Sequence, residues 1–443
     1  MIPAYAGTET SPVTRNSKPE TNLKSSIANR KFHMSSKPTL IVLGTGFGGF
    51  SLLKHLRRDL FKVVVVSPRN HFLFTPLLPS TTVGTVEFRS IIESVRVARP
   101  DAQYVQAFAT SLDPGKRILQ CKGALDAKKF SLSYDYLVIA VGASPATYNI
   151  KGVKEHAFFL KDIGDARAIR QRIIDCLELA SQPGVSAAER ARLLHYVVVG
   201  GGPTGVEFAA EMHDLITEDL RRLYPLLVKE VRITLLEAGE QILNSFDAVL
   251  SRYTAGFFRR QRIDVRTNSK VVQVKKASLQ LSDKSVISYG LLVWTTGIAP
   301  TPFISSLKLP KDKQSRLIVD DRLRVKETPQ HFALGDCISI EEKEIPATAQ
   351  VAQQEGTYLA GSLERLMRGL PLRPFEYKHY GMLAYIGSAH ALADLATVKG
   401  KGFTAWLFWR SVYVTRLVSI KNKVLVLFDW AKTFVFGRDI SRF

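Results

Sequence analysis

The chain has 443 residues, 46% of them hydrophobic and 23% charged, with 61 Lys and Arg against 40 Asp and Glu for a net charge of +21. This composition supports two or three domains with real cores and excludes a disordered, collagen-like or disulfide-scaffold protein. The three cysteines, Cys121, Cys176 and Cys337, form no CxxC pair, which argues against a structural zinc site or a dithiol centre and fits a reducing compartment. No uninterrupted apolar stretch reaches the roughly 20 residues of a spanning helix. The surplus of positive charge fits nucleic acid, an anionic membrane face or an acidic substrate.

Residues 1–37 are rich in Ser, Thr, Pro and Asn, with six basic residues against Glu9 and Glu20. An acid-poor, hydroxyl-rich leader of this kind fits a mitochondrial presequence or a disordered tail, and Met34 offers a second candidate start. Thr39 to Leu43 is a short β-branched run expected as a buried parallel strand. It enters Gly44-Thr45-Gly46-Phe47-Gly48-Gly49, then a helical stretch through Arg58 and a strand from Lys62 to Val66. The same cycle returns at Tyr196 to Val199, passes through Gly200-Gly201-Gly202-Pro203-Thr204-Gly205 into a helix, and continues in a strand from Val231 to Leu236. Two such units predict an α/β fold with two Rossmann-like dinucleotide-binding domains. The boundaries read as 38–160 with 305–375 for the first domain, 161–304 for the second, and 376–443 for a C-terminal region.

Each glycine loop lies between an apolar strand and a helix, the context that gives the pattern meaning. Gly44 permits the tight turn, Gly46 admits a pyrophosphate close to the backbone, and Gly49 lets helix and strand pack together. The phosphates then sit on the helix N-terminus, whose free N–H groups and dipole favour negative charge. Gly200, Gly202 and Gly205 repeat the arrangement. Glu237 ends the second strand of the second unit, where a carboxylate accepts hydrogen bonds from an adenosine ribose and repels a 2′-phosphate, so NADH is expected over NADPH. Its distance of 37 residues from Gly200 exceeds the usual interval of about 20, and the helical stretch from Glu207 to Lys229 takes up the excess. The equivalent position in the first unit is Ser67, so ribose recognition there is weaker or uses the hydroxyl.

Farther on, Phe332-Ala333-Leu334-Gly335-Asp336 reads as a short strand ending in Gly-Asp, and such an aspartate binds the ribityl chain of FAD in flavoproteins with two dinucleotide domains. Two apolar strands, Leu137 to Val141 and Leu292 to Thr296, run into Gly142-Ala143-Ser144-Pro145 and Gly297-Ile298-Ala299-Pro300. Both are expected as crossings between the domains.

The sequence resembles the type II, non-proton-pumping NADH:quinone oxidoreductases of fungal and other eukaryotic mitochondria. The resemblance runs from about Pro38 to the C-terminus. It is carried by Ser67-Pro68-Arg69-Asn70-His71-Phe72-Leu73-Phe74-Thr75-Pro76-Leu77-Leu78-Pro79, by Ala347-Thr348-Ala349-Gln350-Val351-Ala352-Gln353-Gln354-Glu355 and by Trp409-Arg410-Ser411. It implies non-covalent FAD in the first domain, NADH in the second, and ubiquinone reached from the membrane side. By motif, FAD contacts fall on Gly44, Gly46, Phe47, Gly48, Gly49, Ser67, Thr75, Ala109, Gly142, Gly335, Asp336 and Ala347. NADH contacts fall on Gly200, Gly202, Pro203, Thr204, Gly205, Glu207, Glu237 and Gly297, and quinone contacts on Gln350 and Gln354. Some relatives carry a calcium-binding EF-hand; here the link from Asp336 to Gln350 is short, and neither calcium control nor a metal site is expected.

Helix physics agrees with these roles. Pro346 fits the first position of a helix, where its missing N–H costs nothing, and that helix would aim its positive end at the flavin. Gln350 and Gln354 are four apart and share one face, either toward a quinone head group or as a polar surface. Glu207 orients the nicotinamide, relays a proton, or caps its helix.

Within residues 402–443, Phe403, Trp406, Leu407, Trp409, Tyr413, Val414, Leu417 and Val418 gather on one broad helical face, with Arg410 obliged to pair or snorkel. Val424, Leu427, Phe428, Ala431 and Val435 form a second apolar face opposite Asp429, Lys432 and Thr433. Both stretches fit interfacial helices on the anionic inner mitochondrial membrane, or a core or dimer-interface pair, and deleting 402–443 is expected to release the protein from membranes with FAD retained. A homodimer is expected. Two other functions fit the architecture. A sulfide:quinone oxidoreductase needs paired flavin-proximal cysteines, which are missing here, and a flavoprotein of the apoptosis-inducing type would use the basic surface for nucleic acid. The leader carries +4 and residues 402–443 carry +5 of the surplus, which favours targeting and lipid over nucleic acid.

Overall fold

Two parallel sheets carry the two glycine loops. The computed structural model describes residues 37–442, so the expected presequence lies outside the described residues. From Pro38 onward the chain forms one compact unit. In the first sheet His331–Ala333, Tyr136–Ile139, Thr39–Leu43, Lys62–Ser67 and Gln103–Asp113 lie side by side in parallel, and Ile118–Gly123 and Lys129–Ser133 extend it as an antiparallel ribbon. The second sheet runs Phe158–Phe159, Leu291–Trp294, His195–Val199, Arg232–Leu236 and Ile263–Arg266, all parallel. Both central strands are covered on two faces, which explains their unbroken β-branched runs: Leu40, Ile41, Val42 and Tyr196, Val197, Val198 are wholly buried.

In each sheet the strand before the glycine loop has its successor on one side and a much later strand on the other. The loop therefore opens where the strand order reverses, the place at which open α/β sheets bind ligands. The two Gly-x-x-Pro segments form short strands, Ala143–Pro145 and Ile298–Pro300, paired antiparallel to each other.

The C-terminal region adds a three-stranded antiparallel sheet, Met382–Gly387, His390–Asp394 and Lys399–Gly402, followed by helices Phe403–Arg416 and Ile420–Phe436. Trp409, Leu417, Val426 and Trp430 from these helices belong to the core of the first domain. Asn422 donates to the carbonyls of Ser90 and Ile92 at 2.8 and 2.9 Å, and Asp429 accepts from the Glu87 N–H at 3.0 Å. Deleting 402–443 would therefore take core residues as well as the expected membrane anchor.

The single apolar face expected for the first of these helices also divides in two. Trp409 and Leu417 are buried, whereas Phe403, Leu407 and Phe408 are 55%, 48% and 42% exposed. Among the described residues Arg410 meets no carboxylate within salt-bridge reach; its guanidinium lies over the rings of Trp406 and Trp430, 4.1 and 4.6 Å from their centroids. The second helix is inverted relative to an ordinary surface helix. Its polar residues Asn422, Asp429 and Lys432 turn toward the protein, while Val424, Leu427, Phe428, Phe434, Val435 and Phe436 are outward. No helix among the described residues is long and apolar enough to cross a membrane.

Candidate active site

The first glycine loop turns at Gly44, whose φ of +99° lies in the region only glycine occupies freely and where an added Cβ would stand 2.3 Å from the Ala140 carbonyl oxygen. Gly46 precedes helix Phe47–His55 and Gly202 precedes helix Pro203–Asp214. Neither helix takes a side-chain cap from that residue, and a Cβ added at either glycine would have no neighbour within 4 Å. Both helix N-termini thus present unpaired N–H groups to open space of the kind a pyrophosphate fills. Around the first loop stand Gly142 and Gly335, both at positive φ, and Asp336, whose carboxylate has Lys161 3.9 Å away. Of these, Gly335 also lines a cavity of about 530 Å³, together with Pro346, Ala347, Thr348, Val351 and Glu355. The residues present fit FAD.

Other expected contacts fall less simply. Ser67 ends its strand as predicted but is buried, its hydroxyl 3.1 Å from that of Thr45 and accepting from the Arg69 N–H at 3.3 Å. Thr75 begins a single 3₁₀ turn, Thr75–Leu77. Ala109 lies on the antiparallel extension opposite Cys121, packed on the first core. Phe47 packs edge-on against Phe72 at 5.0 Å.

In the second unit Glu237 follows Arg232–Leu236, and both its oxygens accept backbone N–H groups, Gly201 at 2.7 Å and Gly239 at 2.7 Å. The carboxylate is held beside the glycine loop with lone pairs to spare for a diol. Thr204 and Pro203 form the first turn of the helix, and Gly297 lies against the hydroxyl end of Tyr148, which a Cβ there would meet at 2.0 Å.

Glu207 is the fifth residue of its helix and does not cap it. Its Oε1 accepts from the Tyr385 N–H at 3.1 Å and stands 3.5 Å from the Tyr413 hydroxyl, both in the C-terminal region. Burial pushes its carboxyl up to about 8; nearby Glu211 adds to the rise, while the Tyr385 N–H, Tyr413 and Trp409 oppose it. Glu211, also buried and raised, accepts from Ser80 at 2.6 Å and Thr85 at 2.7 Å. Aromatic rings lead from the first loop to Glu207: Phe47 to Phe74 at 6.0 Å, Phe74 to Tyr413 at 6.0 Å, Tyr413 to Trp409 at 4.4 Å and Trp409 to Tyr385 at 5.4 Å. Sequence reasoning missed Tyr385 and Glu211, since neither lies in a motif and Tyr385 sits in an unforeseen sheet.

Helix Ala349–Met367 starts three residues later than expected. Thr348 is its cap, accepting from the Val351 N–H at 3.3 Å, and Pro346 stays outside. The Thr side chain satisfies a donor that Pro at the first position would merely have lacked. Gln350 and Gln354 share a face, as expected, and both engage residues 377–381. Gln350 accepts from the Tyr377 hydroxyl at 2.7 Å and the Tyr380 N–H at 3.1 Å, while Gln354 exchanges two bonds with the Lys378 backbone at 2.8 and 3.0 Å. All three cysteines are buried and free, and no metal cluster is found among the described residues.

Two glycine-loop units at the switch points of two parallel sheets, with a Gly-Asp turn beside the first, define a dinucleotide-dependent flavin oxidoreductase. A family model described as pyridine nucleotide-disulphide oxidoreductase matches residues 38–356, and one described as the NDH2 C-terminal domain matches 379–439. The chain is 48% identical over 411 residues to a probable NADH dehydrogenase of Dictyostelium discoideum, covering 91% of each. It is 42% identical to external NADH-ubiquinone oxidoreductase 2 of Saccharomyces cerevisiae mitochondria, covering 91% of this chain and 82% of that one. The solved structure of NDH2 from Plasmodium falciparum in complex with NADH superposes with a TM-score of 0.87 at 31% identity, covering 92% of this chain and 100% of that one. The chain belongs to the pyridine nucleotide-disulphide oxidoreductase family, in its type II NADH:quinone oxidoreductase branch. A sulfide:quinone oxidoreductase of Aquifex aeolicus, 18% identical with a TM-score of 0.68, shares the fold alone.

Proposed function

We infer that the protein is a rotenone-insensitive NADH:ubiquinone oxidoreductase of the mitochondrial inner membrane, peripherally attached and without proton pumping. The observation that carries this is the pair of complete glycine-loop units, one beside Asp336 and one beside Glu237, together with the paired short strands Ala143–Pro145 and Ile298–Pro300. FAD held in the first unit would supply the two-electron chemistry that links NADH oxidation to quinone reduction. The chain's own residues bind, orient and supply protons. Gly200, Gly202, Pro203, Thr204 and Gly205 hold the pyrophosphate of NADH, Glu237 its ribose, and Gly297 the nicotinamide side. Gly44, Gly46, Phe47, Gly48, Gly49, Gly142, Gly335 and Asp336 would hold FAD, with Ser67, Thr75, Ala109 and Ala347 at its margins.

NADH, one proton and ubiquinone give NAD⁺ and ubiquinol, so a proton must enter from the protein or solvent. Glu207, buried and protonated at neutral pH, holds one beside Tyr413. Gln350 and Gln354 stand on the acceptor side, fixing the 377–381 segment over which the quinone enters. The outward apolar face of Phe403, Leu407, Leu427, Phe428 and Phe434 meets the lipid, with Arg416, Lys421 and Lys423 beside anionic headgroups. A homodimer through part of that face belongs to the same reading and is checked by sedimentation in detergent.

Purified protein should oxidise NADH with a soluble ubiquinone analogue and leave both NADPH and sulfide largely unused. Sulfide-driven quinone reduction, or NADH oxidation indifferent to quinone, would overturn the assignment. Replacing Phe428 and Phe434 by Glu should release the protein from cardiolipin-containing vesicles while leaving soluble-quinone activity intact; undiminished binding would sink the membrane face.

A further inference from the structure

Glu355 follows Gln354 in helix Ala349–Met367 but turns away from the 377–381 segment. It is 2% exposed, and its Oε2 accepts the backbone N–H of Gly335 at 2.6 Å. Gly335 has a φ of +80° and sets the direction in which the chain delivers Asp336. The helix that bears Glu355 is itself fixed against the first glycine unit. A Cβ at Gly356 would stand 2.3 Å from the Gly48 carbonyl oxygen, and one at Gly48 would stand 2.0 Å from Leu334 Cδ1. Glycine loop, Gly-Asp turn and helix therefore lock together, and Glu355 supplies a polar tie between helix and turn. Its carboxylate also borders the 530 Å³ cavity, together with Gly335, Ala347 and Thr348.

We propose that Glu355 is a positioning residue for FAD, holding the Gly335–Asp336 turn in place and linking it to the helix that carries Gln350 and Gln354. The inference rests on the reading of this cavity as the FAD site. A buried carboxylate is an expensive way to bind one N–H, since isolation from water opposes its charge. Burial pushes Glu355 up to about 7; Asp336 adds to the rise and the Gly335 N–H opposes it. The groups acting on it are Asp336 on the turn, which has Lys161 3.9 Å away, and the buried Cys337 thiol, while Arg316, Lys343 and Glu344 line the same cavity, Arg316 paired with Asp312 and Lys343 donating to the Phe375 carbonyl. Such a group changes its proton occupancy when charge beside it changes, and a neutral amide in its place does not.

The test measures FAD affinity by reconstituting the apoprotein, read by flavin fluorescence, and the midpoint potential of the holoprotein across neutral pH. Glu355→Ala should weaken FAD binding on the order of tenfold, the loss expected when a buried N–H is left without an acceptor. Glu355→Gln keeps an acceptor oxygen, so FAD affinity should stay within about threefold of the native value while the potential loses the pH dependence contributed by one proton. NADH binding, followed by tryptophan fluorescence, verifies that each variant retains a folded second unit. Native FAD affinity in Glu355→Ala overturns the positioning role, and an unchanged potential slope in Glu355→Gln overturns the proton link. If the native apoprotein fails to bind FAD, the reading of the site fails instead.

Discussion

The two dinucleotide units are built alike and specialised at two equivalent positions. Seven residues after the first loop glycine, the first unit has Ser51 and the second has Glu207. Ser51 donates to the Gln353 carbonyl at 2.8 Å and ties its helix to Ala349–Met367, whereas Glu207 reaches the Tyr385 N–H and Tyr413 in the C-terminal region. At the end of the next strand the first unit has Ser67, its hydroxyl turned inward on Thr45, and the second has Glu237, spread across two backbone N–H groups. On the proposed reading, the same glycine chemistry serves a permanently housed cofactor in one unit and an exchanging substrate in the other. The first unit closes on itself with short hydroxyl bonds, and the second keeps carboxylates where a ligand and a neighbouring domain can use them.

The largest effect should come from the loop glycines, and it should differ between units. Gly44→Ala places a methyl against the Ala140 backbone oxygen at 2.3 Å, whereas Gly200→Ala meets first the Thr295 hydroxyl at 2.9 Å, and both positions demand positive φ. Gly44→Ala is expected to yield protein without bound flavin. Gly200→Ala should retain flavin and raise the KM for NADH about tenfold, a change of roughly 1.4 kcal/mol. Equal loss of flavin in both would break the distinction.

Next in size, Glu237→Ala should lower kcat/KM for NADH by about tenfold and narrow the preference over NADPH, since on the proposed reading it removes a ribose acceptor and a negative charge. Steady-state kinetics with both nucleotides reads this directly. Unchanged discrimination would mean that the carboxylate serves only Gly201 and Gly239.

Glu207 makes a pH prediction. Its folded value of about 8 lies above the ordinary 4.5, so the native state keeps a proton that the unfolded chain has released between those limits. Stability contributed by this group therefore falls as pH rises from about 4.5 to 8, by up to about 1.4 kcal/mol per pH unit. Glu207→Gln should show a flatter Tm profile over that window and, if the residue holds the proton for the acceptor, a slower quinone half-reaction with an altered pH profile. Parallel Tm profiles would refute the buried acid, and an unaltered rate and pH profile would remove its catalytic role. The smallest effect belongs to Ser67→Ala, about 1 kcal/mol or less for a neutral buried hydrogen bond, with FAD affinity unchanged. A marked drop in FAD affinity would show that the hydroxyl reads the ribose after all.

Much of this is legible in the chain because it depends on local chemistry. The runs Thr39–Leu43 and His195–Val199 carry a polar residue only at their first positions, Thr39 and His195, so they read as buried parallel strands, and the glycine spacing marks the loops that open where the strand order reverses. Glu237 directly follows its strand, and Asp336 lies three residues beyond the end of His331–Ala333. What the sequence leaves open is direction. Helical periodicity groups Trp409 with Phe403 and Leu407, yet Trp409 stacks on Tyr385 while the other two face outward. It marks Asp429 and Lys432 as a solvent face, yet they bond inward to Glu87. Spacing puts Gln350 and Gln354 on a shared face but does not show them as the anchors of residues 377–381. Glu207 reads in sequence as a helix opener, whereas its partners lie about 180 and 210 residues away in the chain. An amphipathic pattern states which residues share a side, and only packing against the rest of the molecule decides whether that side meets protein, water or lipid.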